Sequence, residues 1–542
     1  ALLKKIYKNI TGRFSTENDI KNIETGITYV KNMRLSREEI KKWKTDVDRF
    51  PDVYNSYQKE LKSRNLIDYD DQMVYALMIL DKIPGMLEYF RGKYKYICVD
   101  EAQDTSKLQH DLIDLLAGKK GNLFMVGDED QSIFGFRAAY PEALISFEKR
   151  YKNGKVLLME PNYRSTEEIV TAANTLIRDN KNRHDKNMTA TRPAGGKLNQ
   201  IAVKSRKAQY SYLLKVARNC DRETAILYRN NESALPLIDI LERENIPYST
   251  KNRDMTFFAH PVVNDISDYI RLCISPCDDE AFLNIYYKMG AGISKVNAQK
   301  AVEMNRGKKP IMEIMDDLDI SSYSRRQCRA LATHFKNMRN ENAGKAIYRI
   351  LNYMGYSDYL NEHGMDQGKT EILQLLGDQE SDLLNFLPHL KNLREMISKR
   401  SGDQDSKLIL STIHSSKGLE YDRVYMIDMM NGILPSMPDP DHRKNAELSE
   451  IAMYEEERRL YYVGMTRAKN ELDIFSFGDI DTSSFTKRVF GIIEPDNSFG
   501  KRSAGISNKS FPAKNTAKKY KSTLKNRSDY KKIRTDYSGK KQ

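Results

Sequence analysis

Cysteine is scarce in this sequence of 542 residues, and long apolar runs are missing. The five scattered cysteines favour reduced thiols in a cytoplasm over the disulfide framework of a secreted domain. Cys273 and Cys277 lie four residues apart, but no second Cys/His pair nearby completes the ligand set that zinc needs. No apolar run approaches the roughly 20 residues that span a bilayer, and no signal segment opens the chain. These absences predict a cytoplasmic protein that does not enter a membrane.

Positive charge is concentrated at one end of the chain. The formal net charge is +13, but residues 501–542 hold 14 Lys and Arg against two Asp, so they carry all but one of the excess charges. From about residue 483 the sequence turns rich in Ser, Lys and Asn. Such stretches are usually disordered and bind polyanions without specificity. We therefore predict a basic, largely disordered tail at 483–542.

Short apolar runs separated by helical patterns predict parallel α/β sheets. Three of them lie in the first third of the chain: KYICV at 95–99, NLFMVGD at 122–128 and KVLLME at 155–160. A later series comprises TAILYR at 224–229, KLILSTIH at 407–414, RVYMID at 423–428 and ELDIFSF at 471–477. Strands that alternate with helices form parallel sheets, and ligands bind at the carboxyl ends of such strands. The predicted fold class is therefore α/β.

The same pattern divides the chain into two α/β domains, two helical regions and the tail. The stretch 257–405 has helical spacing without a clear strand, so we interpret it as an insertion into the second α/β domain. The predicted boundaries are 1–66 for the first helical region, 67–164 for the first α/β domain, 165–256 with 406–482 for the second, 257–405 for the insertion and 483–542 for the tail.

The motif YICVDEAQD at 96–104 places two acids at the end of a predicted strand. Asp100 is a candidate Mg²⁺ residue, holding the ion through water, since Mg²⁺ keeps much of its hydration. Glu101 is a candidate for orienting and deprotonating an attacking water. Taken alone, a DExxD pattern is more often an acidic strand-to-helix turn, because acids are favoured in the first turn of a helix.

The motif VGDEDQSIFGFR at 126–137 adds a second acidic loop after a second strand. Gln131 is a candidate sensor of a γ-phosphate or of the attacking water. Phe134 and Phe136 stand near Arg137, and aromatic rings beside a basic residue can stack on nucleic-acid bases. Taken alone, both phenylalanines are more often core residues.

Two arginine motifs and one loop complete the candidate site. NYRS at 162–165 supplies Tyr163 and Arg164, and VGMTRAK at 463–469 supplies Arg467. An arginine from a neighbouring domain commonly stabilises the charge that builds during phosphoryl transfer. STIHSSKGLEYD at 411–422 contributes Glu420, a candidate acceptor for ribose hydroxyls, and His414, which by itself is more often a packed or surface histidine.

Jointly, in this order and spacing, the motifs are specific. The chain resembles the UvrD/Rep/PcrA family of superfamily 1 DNA helicases over about residues 1–480. LIDYDDQ at 66–72, ILYRNNESA at 226–234 and RLYYVGMTRAK at 459–469 are also typical of that family. The resemblance implies two RecA-like motor domains of the P-loop NTPase type, each with a helical insertion. It further implies ATP and Mg²⁺ as cofactors, 3′ to 5′ translocation on single-stranded DNA, and unwinding at junctions of single- and double-stranded DNA.

The resemblance also implies a role for each motif residue. For the nucleotide, Asp100 and Glu101 serve Mg²⁺ and water, Gln131 couples nucleotide state to DNA, Tyr163 stacks on adenine, Arg164 and Arg467 touch the γ-phosphate, and Glu420 meets the ribose. The residues that it places along the DNA are Phe134, Phe136, Arg137, Arg229 and His414.

This sequence departs from the family pattern in two respects. Phe136 stands where the family usually has Trp, which predicts weaker base stacking. No adenine-contacting Gln segment and no GxxxxGK[ST] loop, whose backbone N–H groups and Lys cradle phosphates, precede the motifs. GMDQGKT at 364–370 is one residue short of that loop and follows no apolar strand. We therefore expect a truncated first motor domain and little or no ATP hydrolysis by this chain alone.

Two alternatives stay open. The chain is a non-hydrolysing DNA-binding or loading protein derived from a helicase, or a protein-interaction scaffold whose basic tail alone binds nucleic acid. The persistence of Asp100, Glu101, Arg164 and Arg467 favours the helicase, because a protein without catalysis has no need of all four. Protein partners are not predicted.

Overall fold

The computed structural model describes residues 2–491, apart from residue 44 and the stretches 119–120, 251–255, 306, 366, 400–405, 441–442 and 444–445. Contacts divide the chain into two compact units, Ala1–Ile493 and Glu494–Gln542. All described residues belong to the first unit. The predicted basic tail lies outside the described residues from position 492 onward.

Four helices at the N-terminal end share one apolar core. They are α1 (Leu2–Thr11), α2 (Glu17–Asn32), α3 (Arg37–Lys42) and α4 (Phe50–Ser63). The side chains of Thr16 and Ser36 cap α2 and α3 by accepting backbone N–H groups that the first turn leaves free. Trp43, the single tryptophan, stacks on Tyr29 at 5.0 Å and meets the edge of Phe50 at 5.2 Å. Burial of these rings holds the helices together.

An acidic helix start joins this helical region to the first α/β domain. α5 (Tyr69–Lys82) begins after Asp68, whose side chain caps the helix. Lys31 of α2 is buried, and its Nζ lies 2.6 Å from both Asp68 and Asp71. Asp68 and Asp71 of the LIDYDDQ motif therefore pair with a buried lysine instead of facing solvent.

The first α/β domain has a two-stranded parallel sheet. It consists of α6 (Met86–Lys93), β1 (Tyr96–Val99), α7 (Lys107–Ala117), β2 (Asn122–Met125), α8 (Glu142–Ile145) and α9 (Phe147–Arg150). β1 pairs with β2 in register, Tyr96 opposite Asn122. Both predicted strands are confirmed. On one face of this sheet Tyr96 is 75% exposed and Phe124 61% exposed, whereas parallel sheets usually have both faces covered.

The third predicted strand, KVLLME at 155–160, is wrong. None of these residues belongs to a strand, and Leu157 and Met159 are largely exposed. A strand forms only where a neighbouring backbone shares its hydrogen bonds, and in the described part of the chain β2 pairs with β1 alone. The residues that follow form a short parallel pair instead, β3 (Pro161–Asn162) with β4 (Thr189–Ala190).

The second α/β domain is built on a six-stranded sheet. Its strands are β5 (Lys197–Ala202), β6 (Thr224–Tyr228), β7 (Ser249–Thr250), β8 (Leu408–Thr412), β9 (Tyr421–Met426) and β10 (Ala468–Ser476). Their order is β5-β10-β9-β6-β8-β7, and every pair is parallel. All five residues of β6 are buried, as a central parallel strand requires. The four predicted strands are confirmed; the edge strands β5 and β7 are additional.

Helices α10 (Glu167–Ile177), α11 (Arg206–Arg218) and α12 (Leu235–Arg243) belong to the first half of this domain. The insertion follows with α13 (Pro261–Ile274), α14 (Asp279–Ile285), α15 (Lys295–Asn305), α16 (Ile311–Ile314), α17 (Ser322–Met338), α18 (Ala343–Tyr353), α19 (Tyr356–Glu362), α20 (Gly368–Gly377) and α21 (Leu383–Lys399). Its apolar side chains form one continuous core with residues of β6, β8 and α12. Nowhere in the described chain is a helix both long and apolar enough to cross a bilayer.

Ion pairs also join the insertion to the second α/β domain. Asp239 of α12 is buried, and its Oδ1 lies 3.0 Å from Arg243 Nε and 2.7 Å from His389 Nε2 of α21. Arg206 Nη1 of α11 lies 3.2 Å from Glu371 Oε2 of α20. The insertion is therefore attached through charged side chains as well as through the shared core.

The second α/β domain ends later than predicted. After α22 (Leu448–Met465) and β10 come α23 (Gly478–Asp481) and α24 (Ser484–Val489). Phe485 is buried in the same core as Leu472, and Thr486 Oγ1 lies 2.8 Å from Tyr461 Oη. The predicted start of the tail at 483 is thus too early, because a short amphipathic helix closes the domain.

Candidate functional site

Asp100 and Glu101 stand at the carboxyl end of β1. The Glu101 backbone N–H donates to Asp100 Oδ1 at 2.9 Å. Glu101 has a φ of 50°, a left-handed conformation that costs free energy in a glutamate and that often occurs at functional sites. Gln103 Nε2 donates to the Glu101 carboxylate at 2.5 Å, and this bond orients the strained residue. Both acids are exposed and line a cavity of about 2810 Å³.

Gln131 lies in the same cavity and reaches the second domain. Its Nε2 donates to Asp128 Oδ2 at 2.8 Å. Its Oε1 accepts a hydrogen bond from Arg467 Nη2 at 3.2 Å. The amide therefore stands between the acidic strand end of the first domain and an arginine of the second.

Arg467 carries a buried charge that has no ion-pair partner among the described residues. The side chain is 1% exposed and donates to the carbonyl oxygens of Val463 at 2.9 Å and Leu419 at 3.2 Å. Among the described residues no carboxylate lies within ion-pair distance of it. Burial and the nearby Arg164 lower the pKa of Arg467 to about 10. A buried charge without a counter-charge is unfavourable, so this guanidinium is suited to an anionic ligand.

Arg164 differs from Arg467 in being partly exposed and paired. Its Nε lies 2.7 Å from Glu420 Oε2, and its Nη1 donates to the Thr466 carbonyl at 3.3 Å. Glu420 also lies 2.9 Å from Lys469, and hydrogen bonds from Lys469 and Arg164 lower the pKa of Glu420. Tyr163, Arg164 and Glu420 line one cavity of about 550 Å³. The structure thus brings Tyr163 and Glu420, predicted for adenine and ribose, together with Arg164, which was predicted for the γ-phosphate.

The residues predicted for DNA form an aromatic cluster with basic neighbours. The ring centroids of Phe134 and Phe136 lie 6.0 Å apart, and that of His414 lies 6.3 Å and 6.0 Å from them. The Arg137 guanidinium stands over both phenylalanine rings, at 5.5 Å and 5.4 Å. Phe136 is 48% exposed, so its ring is available for stacking.

His414 is neutral at physiological pH. Burial, Arg229 and Arg137 together lower its pKa to about 4. Arg229 Nη2 itself donates to Glu457 Oε1 at 3.1 Å, and it raises the positive potential around the histidine. His414 is therefore a neutral packing residue of this cluster, whereas Arg137 supplies charge.

Lys417 is a residue of the site that sequence analysis did not single out. Its Nζ donates to Asp104 Oδ2 at 2.5 Å and to the Gln131 carbonyl at 2.6 Å, and it stands 5.3 Å from the Phe134 ring centroid. It therefore links the second domain to both acidic motifs of the first. The SSKG segment was a visible signal, but a lysine in a loop is usually solvated.

Three consecutive acids have the geometry of a metal cluster but already hold cations. Carboxylate oxygens of Asp128, Glu129 and Asp130 lie within 4.8 Å of one another. Lys186 Nζ lies 2.5 Å, 3.0 Å and 3.3 Å from them, and Arg183 Nη2 lies 2.7 Å from Asp130. The Lys186 ammonium and the Arg183 guanidinium thus occupy the cluster, which leaves no open position for a metal ion there.

The described residues of the GMDQGKT segment connect two helices and do not follow a strand, as a phosphate-binding loop would. The segment follows helix α19, and α20 begins at Gly368. Lys369 Nζ lies 3.3 Å from Glu232 of the second α/β domain. The described residues of the segment therefore lie among helices and pack against the second α/β domain.

Two family models match this chain. The model of the UvrD/REP helicase N-terminal domain matches residues 1–152. The model of the UvrD-like helicase C-terminal domain matches residues 157–363 and 325–477, which is more than half of the chain.

Known proteins of similar sequence carry helicase names. The ATP-dependent DNA helicase PcrA of Staphylococcus epidermidis is 28% identical over 515 residues, covering 87% of this chain and 68% of that protein. The PcrA of Staphylococcus aureus (strain NCTC 8325) is 28% identical over 81% of this chain and 62% of that protein. The putative ATP-dependent DNA helicase YjcD of Bacillus subtilis is 28% identical over 82% of this chain. The chain spans 59% of the length of YjcD.

Proposed function

The chain belongs to the UvrD-like helicase family, and on that premise we propose that it carries the motor motifs of an ATP-dependent 3′ to 5′ DNA helicase or translocase and that, without a phosphate-binding loop, it hydrolyses little or no ATP by itself. Its substrates are single-stranded DNA and junctions of single- and double-stranded DNA. The predicted division into two motor domains and two helical insertions is part of the proposal. The observation that carries it is Arg467, a buried guanidinium without a carboxylate that is hydrogen-bonded to Gln131 of the other domain.

Side chains of both domains fit a magnesium–nucleotide complex. Bound Mg²⁺ neutralises phosphate charge as it builds during phosphoryl transfer. Asp100 is placed to hold the ion through water, because its carboxylate is exposed at the strand end. Glu101 orients the attacking water and accepts its proton, and Gln103 fixes the direction of that carboxylate. These residues are the part of the site that the first α/β domain supplies.

The second domain supplies the cationic half. Arg467 and Arg164 stabilise negative charge on the γ-phosphate oxygens. Tyr163 is 72% exposed and can stack on the adenine ring. Glu420 accepts a hydrogen bond from a ribose hydroxyl, which replaces part of its contact with Arg164 or Lys469. Gln131, between the halves, senses whether the γ-phosphate is present.

The DNA path in this proposal follows the aromatic cluster. Phe134 and Phe136 stack on bases, and His414 packs against both rings. Arg137 contacts phosphate or stacks on a base. Because Gln131 lies only three residues before Phe134, a change at the γ-phosphate reaches the stacked bases through one short loop.

The test is DNA-stimulated ATP hydrolysis by the protein expressed from its complete reading frame. Glu101→Gln should abolish turnover while leaving binding of a labelled single-stranded oligonucleotide unchanged. Glu88→Gln is the matched control, since Glu88 is an exposed acid on α6 of the same domain. Unchanged turnover in Glu101→Gln would refute the assigned role. DNA binding without any DNA-stimulated hydrolysis in the wild-type protein would support the non-hydrolysing DNA-binding protein instead.

A further inference from the structure

Every acid of the Asp128–Asp130 loop is bound by one short segment of the second α/β domain. Glu129 and Asp130 are 3% and 0% exposed. Arg183, His184 and Lys186 lie between α10 and β4, and all three reach across to this loop. Burial alone would lower the pKa of Lys186, but attraction by the three carboxylates outweighs it and raises that pKa. Lys186 is therefore a fixed positive charge in the loop.

Asp128 is the carboxylate at which this segment meets the candidate nucleotide site. Its Oδ1 accepts from Lys186 Nζ at 2.5 Å, and its Oδ2 accepts from Gln131 Nε2 at 2.8 Å. Since the amide nitrogen of Gln131 is thus engaged, its oxygen faces Arg467 Nη2 at 3.2 Å. Lys186, Asp128, Gln131 and Arg467 form one line of hydrogen bonds that crosses between the domains twice.

We propose that Lys186 is a positioning residue for Gln131, acting through Asp128, so that the amide oxygen of Gln131 faces Arg467 and the γ-phosphate. The inference rests on the proposed function and names a residue that none of the motifs contains. Lys186 does not touch the nucleotide in this proposal. It sets the orientation of the group that does, and it ties that orientation to the closure of the two domains.

The neighbouring contacts separate positioning from simple anchoring. Arg183 binds Asp130 through two nitrogens, at 2.9 Å and 2.7 Å, and the His184 backbone N–H donates to Glu129 at 2.9 Å. These bonds hold the loop in place without Lys186. Of Arg183, His184 and Lys186, only Lys186 contacts Asp128. Removal of the Lys186 side chain should therefore disturb Gln131 more than it disturbs the position of the loop.

The experiment is a double-mutant cycle between Lys186→Met and Gln131→Ala in the protein from its complete reading frame. We expect Lys186→Met to lower kcat for DNA-stimulated ATP hydrolysis about tenfold with less than about a twofold change in KM, the size of effect that one lost charge-assisted hydrogen bond produces. Lys186→Arg should restore most of kcat. In the double variant kcat should equal that of Gln131→Ala alone, because Lys186 acts only through Gln131.

The proposal would be overturned if the double variant lowered kcat by the product of the two single effects. It would also be overturned if Arg183→Met lowered kcat as Lys186→Met does and this loss, too, disappeared in the Gln131→Ala background. If Lys186→Met folds poorly, Asp128→Asn replaces it, because the new amide can donate to Gln131 and turn its oxygen away from Arg467; an unchanged kcat there would also overturn it.

A second readout keeps this inference separate from the proposed function. The same cycle is measured in thermal unfolding without nucleotide, where Lys186 and Gln131 should couple and Arg183 and Gln131 should not. If the protein hydrolyses no ATP but Lys186 and Gln131 are coupled in unfolding, the helicase proposal is rejected and the positioning role of Lys186 is retained. If the protein hydrolyses ATP but the two residues are not coupled, the helicase proposal is retained and the positioning role is rejected.

Discussion

At the scale of single residues, the two candidate arginines have opposite environments. Arg467 is buried and has only neutral hydrogen-bond acceptors among the described residues, whereas Arg164 is partly exposed and paired with Glu420. The first arrangement costs stability and favours an anion; the second costs little. A folded protein that keeps a buried unpaired charge gains from it in ligand binding.

Replacing Arg467 should therefore separate stability from activity. We expect Arg467→Met to leave the nucleotide-free protein within about 1 kcal/mol of wild-type stability, or above it, because an uncompensated charge is removed. Hydrolysis should fall by about a thousandfold, the effect typical of an arginine that stabilises phosphoryl transfer. Thermal unfolding and a steady-state ATPase assay measure the two. The control is Arg183→Met, which should cost about 3 kcal/mol because it removes the guanidinium that binds the buried Asp130 through two nitrogens.

His414 should make stability depend on pH in a defined window. Its pKa is about 4 in the folded protein and about 6.5 in an unfolded chain. Between these values the unfolded chain binds a proton that the folded protein does not, so stability falls as pH decreases from 6.5 to 4. In His414→Gln this part of the loss should disappear, measured by denaturant unfolding at pH 7 and pH 5. The exposed His363→Gln should keep the wild-type profile.

At the scale of elements, the two sheets differ in how well they are covered. β6 is buried at every residue and has a strand on each side, whereas β1 and β2 expose Tyr96 and Phe124 on one face. Buried, doubly paired strands open only with global unfolding, while poorly covered ones open locally. The first α/β domain should therefore be the less stable part of the described chain.

Amide hydrogen exchange tests this difference. Amides of β1 and β2 should exchange at least about a hundredfold faster than those of β6 and β9, since about 3 kcal/mol of opening free energy separates local from global opening. Equal protection of both sheets in the nucleotide-free protein would contradict the expectation. The DNA-bound protein provides a second comparison, in which protection near Phe134 should rise and that of β6 should not.

Sequence reasoning found the elements whose signal is local. β1, β2 and the central strands are compact apolar runs, and the apolar residues of 257–399 recur at helical spacing. KVLLME has the same composition, yet a strand also needs a partner backbone, which composition does not reveal. β5 was missed because KLNQIA has only two large apolar residues, separated by two polar ones, and so lacks the alternation of a strand; α24 was missed because it follows a polar stretch.

The candidate site was predictable only where a motif contained both partners. Phe134, Phe136 and Arg137 are neighbours in sequence, and resemblance to a known family joined them to His414. The contacts of Lys186 with Asp128 and of Lys417 with Asp104 span 58 and 313 residues. Such pairings depend on how two domains dock, and an isolated lysine in a polar loop gives no sign of it.

At the scale of the whole molecule, Asp239 of the second α/β domain contacts the insertion through a buried carboxylate. One buried carboxylate serves Arg243 of its own helix and His389 of the insertion. Both contacts are made to the same carboxylate oxygen. Weakening this carboxylate should loosen the insertion without touching the nucleotide site.

We expect Asp239→Asn to lower the free energy of unfolding by about 2 kcal/mol, because hydrogen bonds to charged partners are weakened in a buried position. Glu244→Gln at the end of the same helix is the matched control. Its partner Arg218 is 53% exposed, so the loss should stay below about 0.5 kcal/mol. Denaturant titration measures both, and equal losses would show that the Asp239 contacts are no stronger than surface pairs.

The packing of Trp43 against Tyr29 has a practical consequence. Since it is the only indole in the sequence, its emission reports on the N-terminal helices and on no other part of the chain. α2, which carries Tyr29, also contacts the turn Gly135–Arg137 beside the aromatic cluster. An oligonucleotide that engages this cluster should therefore alter the native fluorescence of an unlabelled sample, and a titration followed by that signal would give an affinity without any attached dye.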